Sequence, residues 1–451
     1  MKLTRRSNEV SLFFKWVFKE ERIRMKQARL SPQQQKMQAQ LDKISAAFNR
    51  YFDAGNYPAA MKEALKAHQI VPKAVAPLSD AATSAVKAGL WAEGVKYGKQ
   101  VLKLNDRYIN AYDALAHAYG GLRDWENCSK YGLRALQLRD EKFGSGELPA
   151  LPEGRRNLSD GKKIIAFSLF GASSAYCEPA VMNTELCAQI YPGWVCRFYV
   201  DDSVPASVTE RMRANGAEVV RVDEEAQRWP GTMWRFLAMD DADAAYVVFR
   251  DADSVISWRE AGAVNEWLAS GKRFHLMRDG ETHTELVLAG LWGAEAGSVP
   301  DMRGKMAAYL QQPLQSRHFA DQFFLREHVW PYVKQSVCIH DRLFGFYDAQ
   351  DFPGSREFDY DRFHVGCDEG NSHIAADLTL PEGSRIVWRL FSRISPLINP
   401  DFSENLLPEE RLVCTYETTV QNGKLGAYIP RRYSNGVARG LTRVTVAPAQ
   451  E

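Results

Sequence analysis

Cysteine is sparse and unpaired in this chain of 451 residues: Cys128, Cys177, Cys187, Cys196, Cys338, Cys367 and Cys414 lie scattered, with no Cys-x-x-Cys spacing. An odd, dispersed set argues against a disulfide framework and suits a reducing compartment, so a cytoplasmic location is expected. No apolar run approaches the ~20 residues that a membrane-spanning helix needs. Residues 1–30 carry too many charges to be a secretory signal. Neither sign of charge dominates. With 57 Lys and Arg against 56 Asp and Glu there is no global field to draw nucleic acid, and no nucleic-acid partner is expected.

Against that neutral background the first 30 residues stand out, with nine Lys and Arg against three Glu. Val10, Phe13, Phe14, Val17 and Phe18 fall on one helical face, and Lys15, Lys19, Arg22, Arg24, Lys26 and Arg29 fill much of the rest. The pattern suits packing on the next domain or peripheral contact with an anionic inner membrane face. Further on, aromatics recur at Tyr57, Trp91 and Trp125, each 34 residues after the last. Other columns keep step: Lys96-Tyr97-Gly98 returns as Lys130-Tyr131-Gly132, and Leu102 and Leu104 return as Leu136 and Leu138. This period resembles the tetratricopeptide family and implies an all-α domain over residues 31–142, with a surface for a protein partner. The repeating columns are first of all core, because a helix pair cannot bury its apolar face alone. Gly94, Gly98 and Arg123 depart from the family pattern. Residues 143–161, with Gly-Ser-Gly and Leu-Pro-Ala-Leu-Pro, read as a linker.

From residue 162 the period changes. Strands expected at 163–169, 195–200, 217–222 and 244–249 alternate with helices at 180–190, 207–214 and 233–239, which implies a largely parallel sheet with covered faces. The last of these strands stops at Phe249-Arg250-Asp251-Ala252-Asp253-Ser254. Two carboxylates one residue apart repel each other there, and a cation shared with an anionic substrate is their natural neutraliser. Mg²⁺ or Mn²⁺ keeps one or two protein carboxylates and takes its other ligands from water and phosphate oxygens. Ser257 and Glu260 fit a capping box for a helix that stops before Gly271. The aspartates therefore sit at a strand-to-helix junction, where open α/β sheets bind ligands. A solvated acidic turn is the alternative.

In residues 162–370 four blocks, Trp234-Arg235-Phe236, Val248-Phe249-Arg250-Asp251-Ala252-Asp253-Ser254, Leu288-Ala289-Gly290-Leu291-Trp292-Gly293 and Ala320-Asp321-Gln322-Phe323-Phe324-Leu325, resemble glycosyltransferases of the GT-A fold. The likeness is to a bacterial, polysaccharide-associated group and, more distantly, to the glycogenin-like family. It implies a Rossmann-like α/β domain that binds a nucleotide sugar and transfers the sugar to an acceptor hydroxyl. The acceptor would be a glycan or lipid-linked, in cell-surface polysaccharide or lipopolysaccharide assembly. Asp251 and Asp253 are then ligands of Mn²⁺ or Mg²⁺, and His364, in Phe363-His364-Val365-Gly366, stands nearest to the family's third ligand. Asp321 is the implied catalytic carboxylate, a general base if the reaction inverts and an orienting group if it retains. Arg235 and Arg250 are candidates for donor contact, and Gly290 would let the donor sugar approach the backbone. Gln322 stands beside Asp321, and Arg278 and Asp279, after a strand at 273–276, would shape the sugar pocket. Local ion pairs, a turn and an N-cap are the plain structural roles for the same residues.

Other readings stay open. Cys338 and His340 with His364 and Cys367 offer the ligand set of a structural zinc site, at looser spacing than usual. The chain could also be a tetratricopeptide interaction scaffold whose transferase domain is inactive. A nucleotidyltransferase would usually carry a Gly-rich basic loop after its first strand, and residues 167–174 have no Lys or Arg. Residues 371–451 form a C-terminal extension with strand-like stretches at 384–391 and 411–418.

Overall fold

The structure, a computed structural model, describes residues 31–153, 158, 160–354 and 359–449. The basic amphipathic segment expected at 1–30 lies outside them. Among the described residues no helix is long and apolar enough to cross a membrane.

Six helices form three antiparallel pairs: α1 (Pro32–Asp53) with α2 (Tyr57–Ile70), α3 (Val75–Lys87) with α4 (Trp91–Leu104), and α5 (Ile109–Gly121) with α6 (Trp125–Phe143). Each of the 34-spaced aromatics begins the second helix of a pair. The turn before it is left-handed every time, at Gly55 (φ 72°), Gly89 (φ 71°) and Arg123 (φ 61°). Arg123 thus occupies a conformation that glycine adopts without strain. Its guanidinium lies over the Trp125 and Tyr360 rings and pairs with Asp361 at 2.6 Å, partners a glycine would lack.

The second region is a seven-stranded mixed sheet covered by helices. Its strands are β1 (Lys162–Leu169), β2 (Trp194–Val200), β3 (Glu218–Arg221), β4 (Ala244–Arg250), β5 (Phe274–Arg278), β6 (Leu291–Glu295) and β7 (Val337–Asp341), in the order β3-β2-β1-β4-β6-β5-β7. The expected strands before the acidic pair are parallel to one another. The departure from a largely parallel sheet is β6, which runs antiparallel to both β4 and β5. Its apolar sequence signals burial on both faces but carries no direction. The helix expected at 233–239 is a 3₁₀ segment, Gly231–Asp240. From β1 the chain moves outward through β2 and β3, then returns to β1's other side as β4. That reversal makes a crevice at the carboxyl ends of β1 and β4.

The C-terminal extension is a small β-unit. Strands β8 (Ser372–Asp377) and β11 (Lys424–Ile429) pair, while β9 (Arg385–Ile398) lies between β10 (Glu404–Thr419) and β12 (Thr442–Pro448). Ile386, Trp388, Leu390, Leu425 and Tyr433 form its core together with Met182 from α7 (Ser174–Ile190).

The repeats and the sheet share one core: Leu115, Tyr119, Cys128 and Leu136 belong to the same buried cluster as Phe236, Phe249 and Trp292. Residues beyond α6 are strapped down, with Lys334 Nζ donating to the Gly144 carbonyl and Gln335 Nε2 to that of Pro149, both at 2.8 Å. Asp140 accepts from Trp330 Nε1 (2.8 Å), Lys334 (2.7 Å) and the Tyr347 hydroxyl (3.0 Å). A Cβ at Gly132 would lie 2.1 Å from the Phe344 ring, whereas one at Gly146 would meet nothing. Gly132→Ala is expected to cost about 1–3 kcal/mol of stability by overpacking. Thermal unfolding should show a lowered Tm for that variant and an unchanged one for Gly146→Ala.

Candidate active site

Strand β4 is buried along its length and ends at Arg250; the next residue returns to solvent, with the Asp251 side chain 51% exposed. Beneath it lies Arg235, 2% exposed, carried by the 3₁₀ segment whose backbone is fixed to β1 by Arg235 N–H donating to Ser168 Oγ at 2.9 Å. The Arg235 guanidinium joins three groups: the Asp251 carboxylate, the Arg250 carbonyl at 3.1 Å and Asp321 Oδ2 at 3.0 Å. Asp321 opens the short helix Ala320–Phe324 and accepts the Gln322 N–H on Oδ1 at 2.9 Å, so both its oxygens already accept bonds. Burial pushes the Asp321 carboxyl up from its ordinary pKa, Arg235 pulls it down and Asp251 pushes it up again. Asp253, half-buried, contributes to the field that raises the Arg235 pKa.

Gly290 completes this group. A Cβ there would stand 2.0 Å from Asp251 Oδ2, so the carboxylate rests directly on the glycine backbone. Just past β1 Phe170, and in the first turn of α7 Tyr176, are exposed aromatics. Phe170 packs edge-on against Trp234 with centroids 5.7 Å apart, and Gly231 leaves room for it.

The remaining expected site residues are engaged internally. Arg250 pairs with Glu260 at 2.7 Å, both enclosed, and donates to the Gly290 carbonyl at 3.0 Å. No phosphate reaches a guanidinium so enclosed. Arg278 donates to the carbonyls of Glu285 (3.1 Å) and Leu286 (2.6 Å), and burial lowers its pKa to about 10. Asp279 is clamped by Arg259 at 2.9 and 3.0 Å and accepts the Val365 N–H at 2.9 Å. Gln322 accepts the Ala289 N–H at 3.1 Å and donates to the Val287 carbonyl.

His364 donates from Nδ1 to the Tyr360 carbonyl at 2.7 Å and stacks on that tyrosine's ring. Among the described residues no group of three or more His, Cys, Asp or Glu side chains could by itself hold a metal ion, so His364 is not gathered with Asp251 and Asp253. The zinc set is likewise dispersed. His340 lies between His275 (2.8 Å) and Glu266 (2.9 Å), while the Cys367 thiol donates to the Arg362 carbonyl at 3.1 Å. A divalent ion with few protein ligands would fit here: Asp251 is half-exposed beside Arg235, Asp253 is two positions on, and water or phosphate would supply the rest.

Sequence reasoning missed the supports of the acidic turn. Asn183, buried on α7, donates to the Ser254 carbonyl and accepts the Ile256 N–H, both at 2.8 Å. Its signal was an amide inside an apolar helix. From the C-terminal side, Ser254 bridges to Asp368, the Glu369 N–H donates to the Asp253 carbonyl at 2.8 Å, and Arg432 Nε grips Glu369 at 3.0 Å.

No protein-family model matches the chain, and no curated protein matches it. Solved structures similar in part include the first tetratricopeptide domain of human RPAP3, 22% identical over 22% of this chain and 77% of that one, with a TM-score of 0.21. The TPR2B domain of yeast Sti1, solved as a complex with pHsp70, is 16% identical over 22% of this chain and 81% of that one, with a TM-score of 0.22. A mutant O-GlcNAc transferase of Thermobaculum terrenum is 10% identical over 49% of this chain, with a TM-score of 0.25; the chain spans 47% of that enzyme.

Burial pushes the Glu260 carboxyl up to about 7 against the pull of Arg250. Between an ordinary value of 4.5 and about 7 the folded state holds a proton that the unfolded state has released. The stability this group contributes therefore falls as pH rises through that window, by at most about 1.4 kcal/mol per pH unit. Urea unfolding at stepped pH should show a shallower decline in Glu260→Gln than in the parent chain.

Proposed function

We propose that the chain is a metal-dependent glycosyltransferase that moves a sugar from a nucleotide-diphosphate donor to an acceptor hydroxyl. The observation that carries this reading is the half-exposed Asp251 carboxylate at the carboxyl end of β4, held by buried Arg235 beside the crevice where the sheet order reverses. One guanidinium bonds Asp251 and Asp321 there and feels the charge of Asp253, and the formal surplus of two negative charges suits a divalent cation. Bound Mn²⁺ or Mg²⁺ supplies Lewis-acid neutralisation of the diphosphate as it leaves.

The protein's own groups prepare the rest. Asp251 and Asp253 hold the cation, and Arg235 fixes the direction of the Asp251 carboxylate while keeping Asp321 close. With both oxygens engaged, Asp321 orients the donor sugar rather than collecting a proton, since a base needs free reach to the acceptor hydroxyl. Phe170 and Tyr176 offer aromatic faces to the nucleobase. An acceptor that is a glycan or lipid-linked, in cell-surface polysaccharide assembly, agrees with a basic amphipathic N-terminus.

A second reading, a scaffold without activity, is favoured by the Arg235–Asp251 ion pair itself, which gives that carboxylate a cation from the protein. Thermal shift separates the two. A working site is stabilised by a nucleoside diphosphate only when Mn²⁺ or Mg²⁺ is present, by about 2.7 kcal/mol at a hundredfold excess over Kd. Asp251→Asn and Asp253→Asn should abolish the metal-dependent part. No metal-dependent shift with any of the common nucleoside diphosphates would leave the scaffold standing. Where a shift is seen, release of free sugar from a panel of nucleotide sugars identifies the donor.

A further inference from the structure

The segment 284–290 leaves the repeat domain's surface and arrives at the acidic site, and nearly every residue in it is held by a side chain. Thr284 Oγ1 donates to Asp113 on α5 at 2.7 Å. Asp113 is itself gripped by both arms of Arg139 on α6, at 2.9 and 2.7 Å, and Arg139 Nε stands 3.3 Å from the Glu285 carboxylate. That carboxylate is 7% exposed, and its charge is balanced through Arg139 and, at 3.7 Å, Arg326. Arg278 then holds the carbonyls of Glu285 and Leu286. Gln322 donates to the Val287 carbonyl and accepts the Ala289 N–H on Oε1. Arg250 holds Gly290, and Gly290 carries the Asp251 carboxylate.

The same loop fits the α5 face just before this segment, at Glu281 and Thr282. Asp113, His117 and Gly120 lie on one side of that helix at i, i+4 and i+7. His117 hydrogen-bonds the Thr282 backbone, and a Cβ at Gly120 would fall 2.4 Å from the Glu281 side chain. That face of α5 is thus occupied by the chain's own 281–284 segment.

We propose that Arg139, with Asp113 and Thr284, is a positioning group for Asp251: the helical repeats set the conformation of the strap on which the metal-binding carboxylate rests. The claim that this alters metal binding rests on the function proposed above, while the mechanical link does not. Thr284→Val removes one hydroxyl at nearly constant volume. Arg139→Lys keeps the charge and loses the two-armed grip on Asp113. Asp140→Asn, which loosens the same interface through Trp330, Lys334 and Tyr347 but touches no part of the strap, is the control. Two measurements on the full chain decide: amide hydrogen exchange over 285–291, and Mn²⁺ affinity in the presence of a nucleoside diphosphate, read by electron paramagnetic resonance.

The expected result is at least tenfold faster exchange over 285–291 and at least fivefold weaker Mn²⁺ binding in Thr284→Val and Arg139→Lys. Asp140→Asn should lower the Tm yet leave both readings within twofold of the parent. Exchange and affinity that change no more in the strap variants than in the control would overturn the proposal. If the parent binds no Mn²⁺ with a nucleoside diphosphate, the function proposed above fails, and exchange over 285–291 still decides the link. If Arg139→Lys does not fold, Thr284→Val carries the comparison alone.

Discussion

The Arg235 guanidinium is the point to which the acidic site is tied. It lies on a 3₁₀ segment fixed to β1, bonds the carbonyl that ends β4, and brings together carboxylates that are 70 residues apart in sequence, Asp251 and Asp321. A buried guanidinium left without a partner costs several kcal/mol, so the protein cannot move one of these elements without disturbing the others. Only the outer face of Asp251 escapes this packing. The result is a carboxylate with its back held by protein and its front presented to solvent, which is the geometry a preorganised ligand for a hard cation needs.

Much of this was legible in the sequence, at the level of elements. The 34-residue period located three helix pairs, and the end of an apolar run located the strand terminus that carries Asp251. The four blocks that suggested a transferase all converge on one place. Within them, however, the reading of individual residues was one layer too generous. Arg250, Arg278 and Gln322 stand close to the site but hold backbone carbonyls or a buried carboxylate. Sequence cannot separate a guanidinium that meets a ligand from one that fixes the loop meeting it, because both need the same residue in nearly the same position. The distinction is made by burial, which depends on β6 and on the repeats, neither of which is local to these residues.

The direction of β6 was hidden for a related reason. Parallel and antiparallel central strands bury the same side chains, and only the connection tells them apart. Here the connection is the 279–290 segment, whose polar residues Glu281, Thr284 and Glu285 look like an exposed loop. The partners of Thr284 and Glu285, Asp113 and Arg139, lie far back in the chain, so the loop reads as solvated until the repeats are placed against it.

The continuity of Leu115, Cys128 and Leu136 with Phe249 and Trp292 has an evolutionary consequence. Helical repeats are commonly pictured as cassettes that recombination can attach or remove. These repeats share their core with the sheet: excision would uncover the apolar underside of the sheet and leave Glu285 only the Arg326 guanidinium at 3.7 Å. A change on one side of this seam would need a matching change on the other, so variation between relatives should be found as paired substitutions across it.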